Sequence, residues 1–173
     1  IRGTAINHGG KTNGYTVPNL QAQAAVIADA LKDAGVDARH VSYIEAHGTG
    51  TKLGDPIEIA AISKAFREHT PDTGFCLIGS AKSNIGHCEA AAGIAGLSKV
   101  LLQMQHRQVV PSLHSDQGIM SSTWLFWAII SMTLEMLPSG SRRLARSARV
   151  GMVLLEMVAM SGSFDQGFML DLA

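Results

Sequence analysis

Two histidines, one lysine and two threonines stand out by residue type and spacing. His47 lies in Glu45-Ala46-His47-Gly48-Thr49-Gly50-Thr51, where an apolar run ends in a histidine set among small and hydroxylated residues. Gly48 and Gly50 permit positive φ and close backbone approach to a ligand, and Thr49 and Thr51 offer it hydroxyls. Lys82 and His87 share a second stretch of this kind, Ser80-Ala81-Lys82-Ser83-Asn84-Ile85-Gly86-His87. An imidazole can take a proton from a reacting group, or donate a hydrogen bond to a carbonyl oxygen as negative charge develops there. That is acyl chemistry. No acidic or thiol ligands cluster with the histidines, which argues against a metal. Each residue alone has a plainer reading: the His47 loop as an ordinary turn, a single histidine as a satisfied structural group, Lys82 as a surface charge.

The elements that must position these residues alternate between strand and helix. A strand over 1–7 leads into a loop dense in turn formers, His8 to Gly14. Pro18 and Asn19 open a helix with Leu20, Ala24, Ile27, Ala28 and Leu31 on one stripe and Gly35 just past its end. A strand over 41–46 carries His47 at its end. The next helix, 55–67, has Asp55 as N-cap, Pro56 at its first position and Glu58 three residues after the cap. A third short strand over 75–79 leads into the loop at 80–87, and a long helix over 89–105 begins with so many alanines and glycines that it should lie against other backbone. An extended segment starts at Val109. The pattern predicts an α/β layered domain. In such domains catalytic loops gather at the carboxyl ends of strands, so the loops of His47 and His87 can share one site.

Composition narrows the field. The 173 residues carry 14 basic and 14 acidic side chains, and 46% are hydrophobic, enough for one globular domain with a real core. The basic residues are scattered, apart from Arg142, Arg143 and Arg146, so no footprint for nucleic acid is present. Cys76 and Cys88 give neither a disulfide framework nor a metal spacing, and Cys76 has the surroundings of a small buried hydrophobe. The chain starts at Ile1, without a methionine or a charged-then-apolar leader, which leads us to expect an excised piece rather than a secreted protein.

Residues 43–58, YIEAHGTGTKLGDPIE, and 80–94, SAKSNIGHCEAAAGI, closely resemble two signature blocks of the β-ketoacyl synthase (ketosynthase) domains of modular type I polyketide synthases. The opening, IRGTAINHGGKTNGYTVPN, resembles the preceding block, and the likeness runs to about Ser115. The resemblance implies a thiolase-like fold, αβαβα in five layers, of which residues 1–115 hold much of the second half. It also implies roles. His47 matches the histidine of HGTGT and His87 that of NIGH; both would face a cysteine nucleophile and activate a malonyl unit for decarboxylation and carbon–carbon bond formation. Lys82 matches the lysine of KSNIGH, which supports the histidine network. Thr49 and Thr51 match hydroxyls lining the phosphopantetheine entrance. No cofactor is implied on the domain itself, because the phosphopantetheine arrives on an acyl carrier protein. The implied partners are that carrier, malonyl and acyl thioesters and a second copy in a homodimer, in the cytoplasm, with neither nucleic acid nor membrane.

Departures from the pattern are equally specific. The family's nucleophile sits in a TACSS-like elbow that does not occur in this chain, so residues 1–173 alone are expected to be inactive. Cys88 takes a variable, apolar position of the pattern and is read as packing. After Ser115 the expected NPxIDF and NAH blocks are missing, and residues 116–173 form a divergent tail holding both tryptophans and seven of the eight methionines. The tail reads as a slip of coding frame near Asp116, giving an out-of-frame or disordered segment, in preference to a buried helix or a membrane span at Trp124 to Met132, which is shorter than the roughly 20 residues needed. Three alternatives remain in view: a fatty-acid type 3-oxoacyl synthase, a non-catalytic scaffold for carrier-protein docking or dimerisation, and, less favoured, a thiolase.

Overall fold

The computed structural model describes residues 1–12, 14 and 17–113, together with the backbone of 151–158 and 164–171. In chain order these are β1 (Gly3–His8), α1 (Leu20–Ala34), a 3-10 turn (Ala38–His40), β2 (Val41–Glu45), α2 (Gly54–Arg67), β3 (Leu77–Gly79), the single-turn α3 (Lys82–Ile85), a second 3-10 turn (Glu89–Ala91), α4 (Ala92–His106), β4 (Gly151–Val158) and β5 (Phe164–Asp171).

The described strands form one mixed sheet in the order β1-β5-β4-β2-β3. β2 runs parallel to both β3 and β4, whereas β5 is antiparallel to β4 and to β1. Two strands therefore come from beyond residue 115, and they stand between β1 and β2. The expectation of a helix or a membrane span around Trp124 lies outside the described residues. No helix among the described residues is long and apolar enough to cross a membrane.

Helices cover both faces of the sheet. On one, Ala24, Ile27 and Leu31 of α1 and Ala61, Ile62, Ala65 and Phe66 of α2 pack with Val41 and Ile44 of β2. On the other, Val100 and Met104 of α4 meet Tyr43, with Leu77 and Leu97 beside them. Strict alternation would put Val41 and Tyr43 on the same face; the register shift between them in the β2–β4 ladder lets Val41 join Ile44 instead. Burying Ile27 and Leu31, at 2% and 1% exposure, is worth about 1.5–3 kcal/mol each.

Helix α1 follows the local signals in the sequence. The Asn19 side chain accepts the N–H groups of Gln21 and Ala22 at 2.9 and 3.2 Å, and Gly35 ends the helix at φ +64°. The other starts depart from expectation. Helix α2 begins one residue early, at Gly54, so Asp55 is inside the first turn and is not its N-cap. The Gly54 N–H instead donates to Thr51 Oγ1 at 3.0 Å, and the Asp55 carboxylate turns back to accept from Gly50 N–H at 3.1 Å. The stretch expected as plain loop contains α3. The helix expected from Glu89 is delayed to Ala92, because Glu89 takes φ +45° and a 3-10 turn intervenes. Of the small residues at that start, Ala92 and Gly96 are buried, but Ala90 and Ala91 are exposed.

Candidate functional site

The two histidine loops are adjacent because the two strands that carry them are adjacent. β2 and β3 pair in parallel through Glu45 and Gly79, and Ala46 N–H extends the ladder to Gly79 O at 2.7 Å. Beyond that point the chains stay fastened. Ser80 Oγ donates to His47 O at 3.3 Å, and Gly48 sits at φ +52° so close to Ser80 that a Cβ on it would lie 2.8 Å from the Ser80 Cβ. Only glycine fits that approach. The outcome is an edge-to-face pair of imidazoles, His47 and His87, with ring centroids 5.4 Å apart and planes at 84°.

The His47 loop is secured from below by Glu58. This buried carboxylate on α2 accepts His47 N–H at 2.7 Å through Oε1 and Gly48 N–H at 2.9 Å through Oε2. Burial raises its proton affinity above that of an ordinary glutamate, and the two amides partly offset that rise. A glutamate three residues after Asp55 has the spacing of a capping box, but the Glu58 carboxylate serves the loop before the helix instead, because that loop doubles back over the first turn.

His87 is held differently. It is exposed, and its Nδ1 accepts the Glu89 N–H at 3.0 Å. In the neutral ring the proton must then be on Nε2, which leaves Nε2–H as the donor available to a ligand. Lys82 opens α3, half-buried, with its own N–H given to Ser80 Oγ at 3.3 Å. Ser83 Oγ accepts Leu113 N–H at 3.0 Å, and Ser112 Oγ accepts Ser80 N–H at 3.0 Å, so the extended segment after α4 is tied to the same loop.

Thr49 and Thr51 lie exposed on the outer part of the His47 loop, their hydroxyl oxygens 3.5 Å apart. Thr51 has a structural task at the head of α2, while Thr49 makes no other side-chain bond among those described. Burial raises the Asp55 carboxyl, which accepts from the backbone at Gly50 in the same loop.

Beneath both loops is a polar group that sequence reasoning passed over. Glu45, 2% exposed, receives Tyr43 OH on Oε2 at 2.5 Å and Lys99 Nζ on the same oxygen at 2.8 Å; its Oε1 accepts Ala81 N–H. Lys99 also reaches Tyr43 OH at 2.9 Å. Burial, and then the charge of Glu45, push the Tyr43 phenol well above its ordinary range, so it remains a donor. Removing one partner of such a buried ion pair costs about 3–5 kcal/mol. The available signal was a carboxylate inside the apolar run Val41 to Ala46, since a buried charge must be paired.

The thiols divide. Cys76 packs against the core, and burial pushes its pKa up to about 12. Cys88, expected to be packing, is exposed instead, because the turn at Glu89 swings it outward before α4 begins.

A family model described as "Beta-ketoacyl synthase, C-terminal domain" matches residues 1–116. Among curated proteins, the polyketide synthase PksL of Bacillus subtilis is 72% identical over 116 residues, which are 67% of this chain and 3% of that protein. The polyketide synthase ThaG of Burkholderia thailandensis is 68% identical over 117 residues, 67% of this chain and 2% of its own length. A mutant ketosynthase from module 6 of the bacillaene synthase of Bacillus subtilis superposes on 100% of this chain with a TM-score of 0.80 at 34% identity, using 30% of its own chain. Ketosynthase twelve of the bacillaene polyketide synthase of Bacillus amyloliquefaciens covers 99% with a TM-score of 0.79 at 29% identity, again over 30% of that chain. The chain thus spans a small fraction of PksL and of ThaG, and less than a third of these two solved domains.

Proposed function

The chain belongs to the β-ketoacyl synthases, whose C-terminal domain it carries over residues 1–116, and from that premise we propose that it serves a polyketide synthase ketosynthase catalysing decarboxylative Claisen condensation. The observation that carries this reading is the His47–His87 pair, delivered edge to face from two neighbouring strand ends.

The reaction runs in two halves. An acyl thioester first transfers to a cysteine supplied by the upstream half of the domain: the carbonyl carbon bonds to that sulfur, and the carrier thiol leaves with a proton. Malonyl-carrier protein then loses carbon dioxide, and its enolate carbon attacks the bound acyl carbonyl while the cysteine thiolate leaves. His87 Nε2–H and the His47 ring are the groups we assign to the malonyl thioester oxygen, where charge appears as the carbon–carbon bond breaks. Lys82 supports them from the start of α3. Thr49 and Thr51 receive the phosphopantetheine arm of the acyl carrier protein. We assign the working protein to a homodimer in the cytoplasm, and place the end of the ketosynthase-like sequence near Ser115, which the extent of the family match supports, while β4 and β5 beyond it belong to the same sheet. Cys88 is not the nucleophile.

The test separates the halves in a domain completed with its upstream half. His47→Ala and His87→Ala should each slow malonyl decarboxylation by about a hundredfold or more, with acyl loading much less affected. Unchanged decarboxylation in both variants sinks the assignment. Residues 1–173 alone should take up no acyl label, and a label on Cys88 that turns over would refute its exclusion.

A further inference from the structure

We infer that Glu45 is a positioning residue for the condensation site, joining the strand before His47 to the turn that carries Lys82. The inference rests on the ketosynthase reading above and deepens it. Its basis is the connectivity of a single buried carboxylate. Glu45 ends β2 and is two residues from His47. Its Oε1 accepts the amide of Ala81, the residue immediately before Lys82 and the start of α3. Its Oε2 is held by Tyr43 and by Lys99, and Lys99 belongs to α4, the helix that follows His87. One side chain therefore links the strand before His47, the turn before Lys82 and the helix after His87.

The orientation of the carboxylate follows from the partners. Lys99 Nζ and the Tyr43 hydroxyl both reach Oε2, which leaves Oε1 for the Ala81 amide. Tyr43 and Glu45 sit two residues apart on one face of β2, toward α4, so the strand's own pleat presents both groups together. A neutral amide in place of the carboxylate breaks this arrangement in a defined way. With Lys99 still charged, the amide oxygen of a glutamine turns to the ammonium, and its NH2 group then faces the Ala81 N–H, donor against donor. Removing the Lys99 charge as well frees the glutamine oxygen to face Ala81, with the NH2 group toward the Tyr43 oxygen.

The completed ketosynthase domain supplies the test, with Glu45→Gln and the double variant Glu45→Gln, Lys99→Met. Glu45→Gln should slow malonyl decarboxylation by at least about tenfold while acyl loading on the nucleophilic cysteine stays within about twofold, because misplacement by a fraction of an ångström is felt where charge develops. Amide exchange at Ala81 should quicken in parallel. The double variant should bring decarboxylation back to within about threefold of wild type and slow the Ala81 exchange again. If both half-reactions fall together and follow the melting temperature in both variants, Glu45 is only part of the packing and the inference is overturned. Unchanged decarboxylation in Glu45→Gln, or a double variant no better than the single, also overturns it. A wild-type domain that loads acyl groups but never decarboxylates malonyl thioester would overturn the ketosynthase reading itself, and Ala81 exchange in the two variants would still decide whether Glu45 sets the turn.

Discussion

The two histidine loops leave parallel neighbouring strands and end with their rings 5.4 Å apart, yet the two histidines are held differently. The His47 loop is fixed by groups outside it: Glu58 takes two of its amides, Ser80 presses on Gly48, and Asp55 takes Gly50. The loop of His87 is tied at its start, where Ala81 meets Glu45, Ser80 meets Ser112 and Ser83 meets Leu113, but its far end is held by its own turn, through the Glu89 N–H to His87 Nδ1, and everything from Asn84 to Ala91 is exposed. The first arrangement places an imidazole before any ligand arrives. The second leaves an imidazole on a surface where Ile85 and, further along α4, Ile94, Leu101 and Leu102 are also exposed, at 49–62%. An apolar helix face of that extent normally has a partner. The difference teaches that the backbone at His47 is fixed by Glu58 and Ser80, whereas among the described residues the His87 ring is held through its neighbouring turn.

The sharpest way to break that contrast is to remove the fastening from the first loop. Glu58→Ala leaves the part-buried His47 and Gly48 amides without their acceptors. Losing two hydrogen bonds to a charged group should cost about 3–5 kcal/mol in denaturant unfolding of the completed domain. Glu89→Ala, the substitution next to the other histidine, removes an exposed side chain and leaves the Glu89 N–H bond to His87 in place, so its cost should stay under about 0.5 kcal/mol. Equal effects at both sites would show that the loops are not differently supported.

A second test acts on the contact between the loops. Gly48→Ala combines a positive φ with a Cβ lying 2.8 Å from the Ser80 Cβ, and should cost about 2–3 kcal/mol. Adding Ser80→Gly removes the clash but not the strain, so part of the loss should return. No recovery would mean that backbone conformation alone, and not the approach of the two loops, fixes glycine at this position.

How much of this was legible in the sequence depended on how far apart the partners are. Helix α1 could be read because its cap, stripe and terminal glycine lie within one short stretch. His47, Lys82 and His87 could be grouped because strand ends gather loops at one edge. Glu58 was visible but misassigned: a carboxylate three residues past an apparent cap looks like a capping box, and only the doubling-back of residues 47–54 gives it other amides to accept. The Glu45–Lys99 pair, 54 positions apart, left a single trace, a charge inside an apolar strand. The delayed start of α4 left none, since the positive φ of Glu89 is imposed by the turn around His87 and not by any residue with a taste for it.

The smallest predicted effect separates two threonines that the sequence could not tell apart. Thr51 accepts the Gly54 N–H and so closes the first turn of α2, whereas Thr49 projects beside it without that duty. Thr51→Val should therefore cost about 1 kcal/mol of stability, as loss of a helix cap does, and Thr49→Val only a few tenths. If the exposed hydroxyls also receive the phosphopantetheine arm, the order reverses in kinetics. Thr49→Val should raise KM for the carrier-bound substrate with kcat little changed, because the Thr49 oxygen is the freer of the two to meet a ligand. A Thr49→Val domain with unaltered KM would restrict this part of the loop to holding α2, and would leave His47 as its one contribution to chemistry.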